Sequence, residues 1–104
     1  MDQIRVVWTP LAAEQLEDAI VYIADHRGPT YAERVRTKVL EAARRLSRLP
    51  ESGQKELLLE HEEEIYRYLV VWSYKLIYRY NKPIKKVYIV RFFHTSQNPD
   101  RLIF

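Results

Sequence analysis

The sequence predicts an α+β domain in which a helical hairpin packs on one face of a small sheet of hairpin-linked strands. Three observations carry that prediction. Two stretches between residues 10 and 49 repeat apolar side chains at helical spacing, with Gly28-Pro29 between them. Three later runs, between Ile65 and Phe93, are β-branched and aromatic and are separated by turn-length gaps. A short apolar run, Ile4 to Trp8, precedes the helices. At 104 residues the chain reads as one domain, 1–104, on a prior of roughly 100–200 residues per domain.

Ile4–Trp8 is bounded by polar residues and is read as the first strand. Thr9-Pro10 follows, a good N-cap and then a residue favoured in the first helical turn, so a helix should begin there. Its apolar stripe is Ala12, Leu16, Ala19, Ile20 and Ile23. Gly28-Pro29 closes this helix and opens a second, Thr30 to Leu49, with stripe Ala32, Val35, Val39, Ala42, Ala43 and Leu46. Arg34, Lys38, Arg45 and Arg48 fall on its other face. So short a link predicts an antiparallel pair. Leu49-Pro50-Glu51-Ser52-Gly53 stops the second helix. Residues 54–64 carry three leucines and an acidic run and are read as a loop.

The sheet follows. Ile65–Val71 and Tyr74–Tyr80 flank Trp72-Ser73, a hairpin-length gap without Asn-Gly chemistry. Asn81-Lys82-Pro83-Ile84 is a second turn, and Lys86–Phe93 is the last strand. Simple alternation divides it into Val87/Ile89/Arg91/Phe93 and Tyr88/Val90/Phe92. Both sets are largely apolar, which predicts a central position.

Composition excludes several classes. There are no cysteines and only two glycines. That removes disulfide scaffolds, zinc ribbons and glycine-rich phosphate loops, and it fits a reducing cytoplasm. No His/Asp/Glu spacing suits a metal, no cofactor is indicated, no apolar run could span a bilayer, and no signal-peptide pattern opens the chain. Net charge is +3 but unevenly placed. Residues 51–64 hold six acids against Lys55, while residues 65–104 hold eight bases against Asp100. A basic sheet of that kind suits a polyanion or an acidic protein partner.

Candidate functional residues cluster in that last third. Lys75 and Arg79 share a strand face with Ile77 between them, and Arg67 can join them across the hairpin. Tyr66, Tyr68 and Tyr74 offer stacking planes for bases. Arg91 lies on the last strand. His94, a candidate general acid or base, opens the polar run His94-Thr95-Ser96-Gln97-Asn98-Pro99. Glu60, Glu62, Glu63 or Glu64 could place a carboxylate beside the basic face.

Four segments together, VVWTPLAAEQLEDAIVYI, YAERVRTKVLEAARRLSRLPESG, YRYLVVWSYKLIYRY and VYIVRFFHTSQNPDRL, resemble the RelE/ParE superfamily of type II toxin–antitoxin toxins. The resemblance implies a helical hairpin on a small twisted antiparallel sheet with the first strand at an edge. RelE-like members cleave messenger RNA on the ribosome, and the matching positions here are Lys75, Arg67 and His94 as catalytic residues. Arg79, Arg91 and Gln97 would contact the target. Thr95 follows His94 where a tyrosine is expected, and no tyrosine occurs after Tyr88, so the chain is more similar to ParE-like members. Those lack the nuclease set and inhibit DNA gyrase. The resemblance thus implies a non-enzymatic gyrase inhibitor, with a ribosome-dependent endoribonuclease as the alternative. In both cases it implies an acidic antitoxin covering the helices and the basic sheet, and operator DNA reached only through that antitoxin.

Overall fold

The structure, a computed structural model, describes residues 3–97. Strand β1 is Arg5–Trp8, helix α1 Pro10–Arg27 and helix α2 Pro29–Arg45. A two-residue strand β2, Gln54–Lys55, leads into a single 3-10 turn, Leu57–Leu59. Strands β3 (Tyr66–Val71), β4 (Tyr74–Asn81) and β5 (Lys86–His94) follow. The five strands form one sheet in the order β1-β5-β4-β3-β2. Four of them run antiparallel to their neighbours as expected, whereas the edge strand β1 pairs parallel with β5, so the sheet is mixed. The parallel edge follows from connectivity, because α1 and α2 intervene between β1 and the rest of the sheet. No helix of the described residues is long and apolar enough to cross a membrane.

Each boundary has a local cause. Thr9 is extended at φ −64°, ψ 156°, and its hydroxyl accepts from the Ala12 amide while donating to the Ile89 carbonyl at 2.9 Å. One residue therefore caps α1 and ties it to β5. Gly28 sits at φ +90°, a conformation L side chains rarely adopt. Its amide donates to Ala24 O, closing α1, and its carbonyl accepts from Ala32 N, opening α2. The predicted stripes are the buried ones: Leu16, Ile20, Ile23, Val35, Val39 and Leu46 are at most 6% exposed. They pack on Leu76, Tyr78, Val87, Ile89 and Phe92 of the sheet.

The stretch read as a loop, residues 54–64, holds β2 and the 3-10 turn. Glu56 caps that turn through Leu58 N, and Leu59 plugs onto Ile77 on the sheet face away from the helices. The sheet therefore has cores on both sides. Gly53 lies where the chain enters β2. A Cβ there would stand 2.7 Å from both Tyr68 O and the Tyr78 hydroxyl, so only glycine fits.

Two features set which side chains face where. The β3–β4 turn has two residues, and Val71 opposes Tyr74. Trp72 occupies its first central position at φ 54°. For a residue with a Cβ this region costs roughly 1–2 kcal/mol. The second feature is a bulge in β5. Ile77 pairs with Arg91 but Tyr78 pairs with Ile89, leaving Val90 as an extra residue. The alternation expected for β5 therefore breaks. Phe92 is buried in the same core as Val87 and Ile89, while Val90 and Phe93 belong to the opposite core. Beyond the end of β1, the exposed ladder amide of Phe92 is satisfied by Gln15 Oε1 of α1 at 2.9 Å.

Candidate functional site

The two-residue hairpin decides the fate of the basic cluster. With Val71 opposite Tyr74, Val70 opposes Lys75 and Arg67 opposes Tyr78. Lys75 and Arg79 share the face away from the helices, as predicted, but Arg67 lies on the helix face. There it reaches the Gly53 carbonyl at 3.0 Å and Glu51 at 3.9 Å. His94 opposes Tyr74, and its ring meets that tyrosine edge-on, centroids 5.3 Å apart. The helix-face side chain Tyr74 stacks on Phe92 as well. His94 therefore stands on the helix face, while Lys75 opposes Phe93 on the other. The three residues expected to form one catalytic group are split between two faces, with Arg67 and His94 at different ends of the helix face.

The target-contacting set divides similarly. Arg79 and Arg91 pair with Tyr88 and Ile77 on the outer face, whereas Gln97 lines a groove beside α1. Burial holds the Arg91 guanidinium below its ordinary pKa range, and its Nη1 donates to the Val90 carbonyl at 2.8 Å. Within the polar run, the Ser96 amide donates to His94 Nδ1 at 3.1 Å. The Ser96 hydroxyl lies 2.7 Å from the same nitrogen. Asn98 and Pro99 lie outside the described residues.

The cations of the β3–β4 hairpin are matched from within the chain. Arg67 faces Glu51, Lys75 forms an ion pair with Glu56, and Arg79 meets Glu64 at 3.2 Å. Every acid in these pairs comes from the segment 51–64. Glu56 is buried, and the Lys75 ammonium also sits 4.1 Å from the Tyr68 ring centre. Arg79 covers Tyr88 at 4.3 Å. Glu64 is one of the carboxylates the sequence offered for this face. Glu56 is not, because nothing in a run of acids marks which one the fold will bury. Three bases of the sheet expected to attract an acidic partner are thus matched by their own chain, while Lys82 and Lys86 have no carboxylate partner among the described residues.

What remains open is a belt of grooves at the other side. One, about 600 Å³, runs between α1 and the end of β5, past Gln15, Tyr22, Tyr74, His94 and Gln97. A second, about 320 Å³, shares Tyr22, Tyr74 and His94 with it and continues to Tyr31 and Trp72. A third, about 400 Å³, begins at Trp72 and follows α2 past Lys38 and Arg45 to Leu49 and Val70. Tyr22 is 61% and Trp72 49% exposed. Tyr22 stacks on His26 at 4.0 Å, Tyr31 stacks on Trp72 at 5.7 Å, and Arg27 lies over Tyr31 at 4.5 Å. A continuous surface of this composition, with exposed aromatic rings and flanking cations, suits contact with a protein partner. Sequence reasoning passed over it. The available signal was Tyr22 and His26 one helical turn apart on a surface stripe, and a tryptophan in a turn where small residues are usual.

No curated protein matches the sequence. Among solved structures, the chromosomal ParDE toxin–antitoxin system from P. aeruginosa is similar with a TM-score of 0.73 and 19% identity, covering 89% of this chain and 97% of that one. The toxin–antitoxin complex RelBE2 from Mycobacterium tuberculosis follows at 0.59 and 24%, covering 89% and 99%. At these identities the likeness is one of fold. The sequence itself matches the family described as ParE toxin of type II toxin–antitoxin system, parDE, over residues 6–99. With nearly its whole length inside that match, the chain belongs to the ParE family of type II toxins.

Proposed function

We propose that this toxin is a non-enzymatic, ParE-like inhibitor of DNA gyrase, neutralised by an antitoxin that binds the aromatic belt. The observation that carries the reading is the dispersal of Lys75, Arg67 and His94, with Lys75 and Arg67 engaged by carboxylates of the same chain. General acid–base chemistry on a ribose needs its groups within hydrogen-bond reach of one reacting centre, and these three groups do not converge. A toxin that acts by occupying a protein target needs no such convergence. The two structures named above are described as a toxin–antitoxin system and a toxin–antitoxin complex, which supports a protein partner of that kind.

The test is direct. Purified toxin is expected to slow supercoiling by gyrase and to accumulate cleaved DNA, and added antitoxin to reverse both. Unimpaired supercoiling together with new transcript ends on translating ribosomes would replace this reading with the endonuclease one.

A further inference from the structure

We infer that Trp72 is the central anchor on which the antitoxin segment seats. The segment is extended, with an acidic part along α2 and an apolar part in the aromatic groove. This rests on the antitoxin reading above and adds a location, a direction of polarity and a residue.

Trp72 sits at φ 54° in a two-residue hairpin turn, where glycine or asparagine is the undemanding choice. A bulky aromatic in that region is an outlier, and such strain persists where the side chain is needed. Trp72 does little for the core. It is half exposed and touches Tyr31, itself at the rim. Folding alone gives no reason to keep an indole there.

Trp72 lines both the groove that holds Tyr31 and Tyr74 and the groove that holds Lys38 and Arg45. A chain crossing from one to the other must pass over it. Large aromatics at the centre of a contact surface carry much of the affinity of protein complexes.

The hairpin bases Arg67, Lys75 and Arg79 are paired with segment 51–64. Among the described residues the largest group of cations with no carboxylate partner is Arg34, Arg44, Arg45 and Arg48 on the α2 side, where Glu41 engages only Lys38, at 3.8 Å. Arg5, Arg27, Lys55, Lys82 and Lys86 lack such a partner at scattered places. Acidic side chains are therefore best accommodated along α2. Beyond Trp72, the Tyr31 and Tyr74 rings favour apolar or aromatic side chains. From Tyr31 to Arg45 is about 21 Å along the helix axis, a span for roughly six or seven extended residues.

The experiment uses the full chain and, as antitoxin, the protein product of any small acidic reading frame that adjoins its gene, purified separately. Trp72→Gly keeps a residue suited to the turn. It is expected to melt at the same temperature or higher than the parent, yet to bind at least tenfold more weakly. Arg45→Glu is expected to weaken binding and flatten its salt dependence. As an independent readout, Trp8→Phe leaves Trp72 the sole tryptophan, and its emission is expected to shift to the blue and become shielded from acrylamide on binding. Should the parent fail to bind the neighbouring product, the antitoxin reading falls. Should the parent bind while Trp72→Gly binds within twofold of it, or while Trp72 in the Trp8→Phe chain stays open to acrylamide, the anchor assignment falls and the antitoxin reading stands. If Trp72→Gly does not fold, the strain argument is wrong, and the quenching measurement decides the anchor.

Discussion

Tyr78 shows how much one residue holds in place. Its ring is fully buried under the helices, and its hydroxyl accepts from the Gly53 amide at 2.9 Å, fixing the point where the chain enters β2. Burial raises the pKa of this phenol above the ordinary tyrosine value, and it does the same to Tyr74 and Tyr66. The unfolded chain releases these protons near pH 10, while the folded chain still retains them. Stability from these groups is therefore complete below about pH 10 and falls as pH rises toward the folded values. Urea midpoints measured from pH 8 to 11 are expected to decline at the alkaline end. The decline should be shallower in Tyr78→Phe, which starts from a lower midpoint because the buried Gly53 amide loses its acceptor.

The 3-10 turn and its neighbours make a strap across the outer sheet face, held by the Glu56–Lys75 pair and by Leu59 on Ile77. Lys75→Ala leaves Glu56 buried and unmatched. The cost should be about 3 kcal/mol, whereas Lys75→Met/Glu56→Leu together should recover most of it. A double-mutant cycle by chemical denaturation checks this, and a neutral single Lys75→Ala would show that the pair is not a structural one. At this scale much was legible beforehand. Both helices, their stripes and the Thr9 and Gly28 boundaries follow from spacing and capping chemistry alone. So does the placement of Arg67, in retrospect. A two-residue turn at Trp72-Ser73 forces Arg67 opposite Tyr78 and Val70 opposite Lys75, which puts the two bases on different faces. The bulge at Val90 was not legible, because β5 is apolar on both faces and alternation there carries no information. The strap was half legible: its acids were visible, but only packing selects Glu56 from among them.

Viewed whole, the molecule is a slab of 41 × 35 × 21 Å with a helix layer on one side and the strap on the other. Its charge is organised by contact, not by sequence segment. The acids of 51–64 fold against Arg67, Lys75 and Arg79 of the basic last third. Among the described residues the largest group of cations without a carboxylate partner lies on the α2 side, with Lys82 and Lys86 unpaired at the β4–β5 turn. Association with an acidic partner should then be steered mainly by α2. Stopped-flow measurement is expected to show an association rate that falls with added salt. Arg34→Glu/Arg48→Glu should lower that rate and reduce its salt dependence, with little change in dissociation. An equal effect from Lys82→Glu/Lys86→Glu, at the far turn, would show instead that net charge alone governs the encounter.

The extra residue in β5 has a bearing on how this strand can vary in length. In a regular strand, losing one residue turns every later side chain to the opposite face. At Val90 the surplus residue is already accommodated, so its loss would let the ladder close up while Phe92 and His94 still face the helices and Phe93 still faces Lys75. A chain one residue shorter at this point can keep the same groove. A chain one residue shorter between Arg91 and His94 cannot, and alignments of related toxins should open their gaps accordingly.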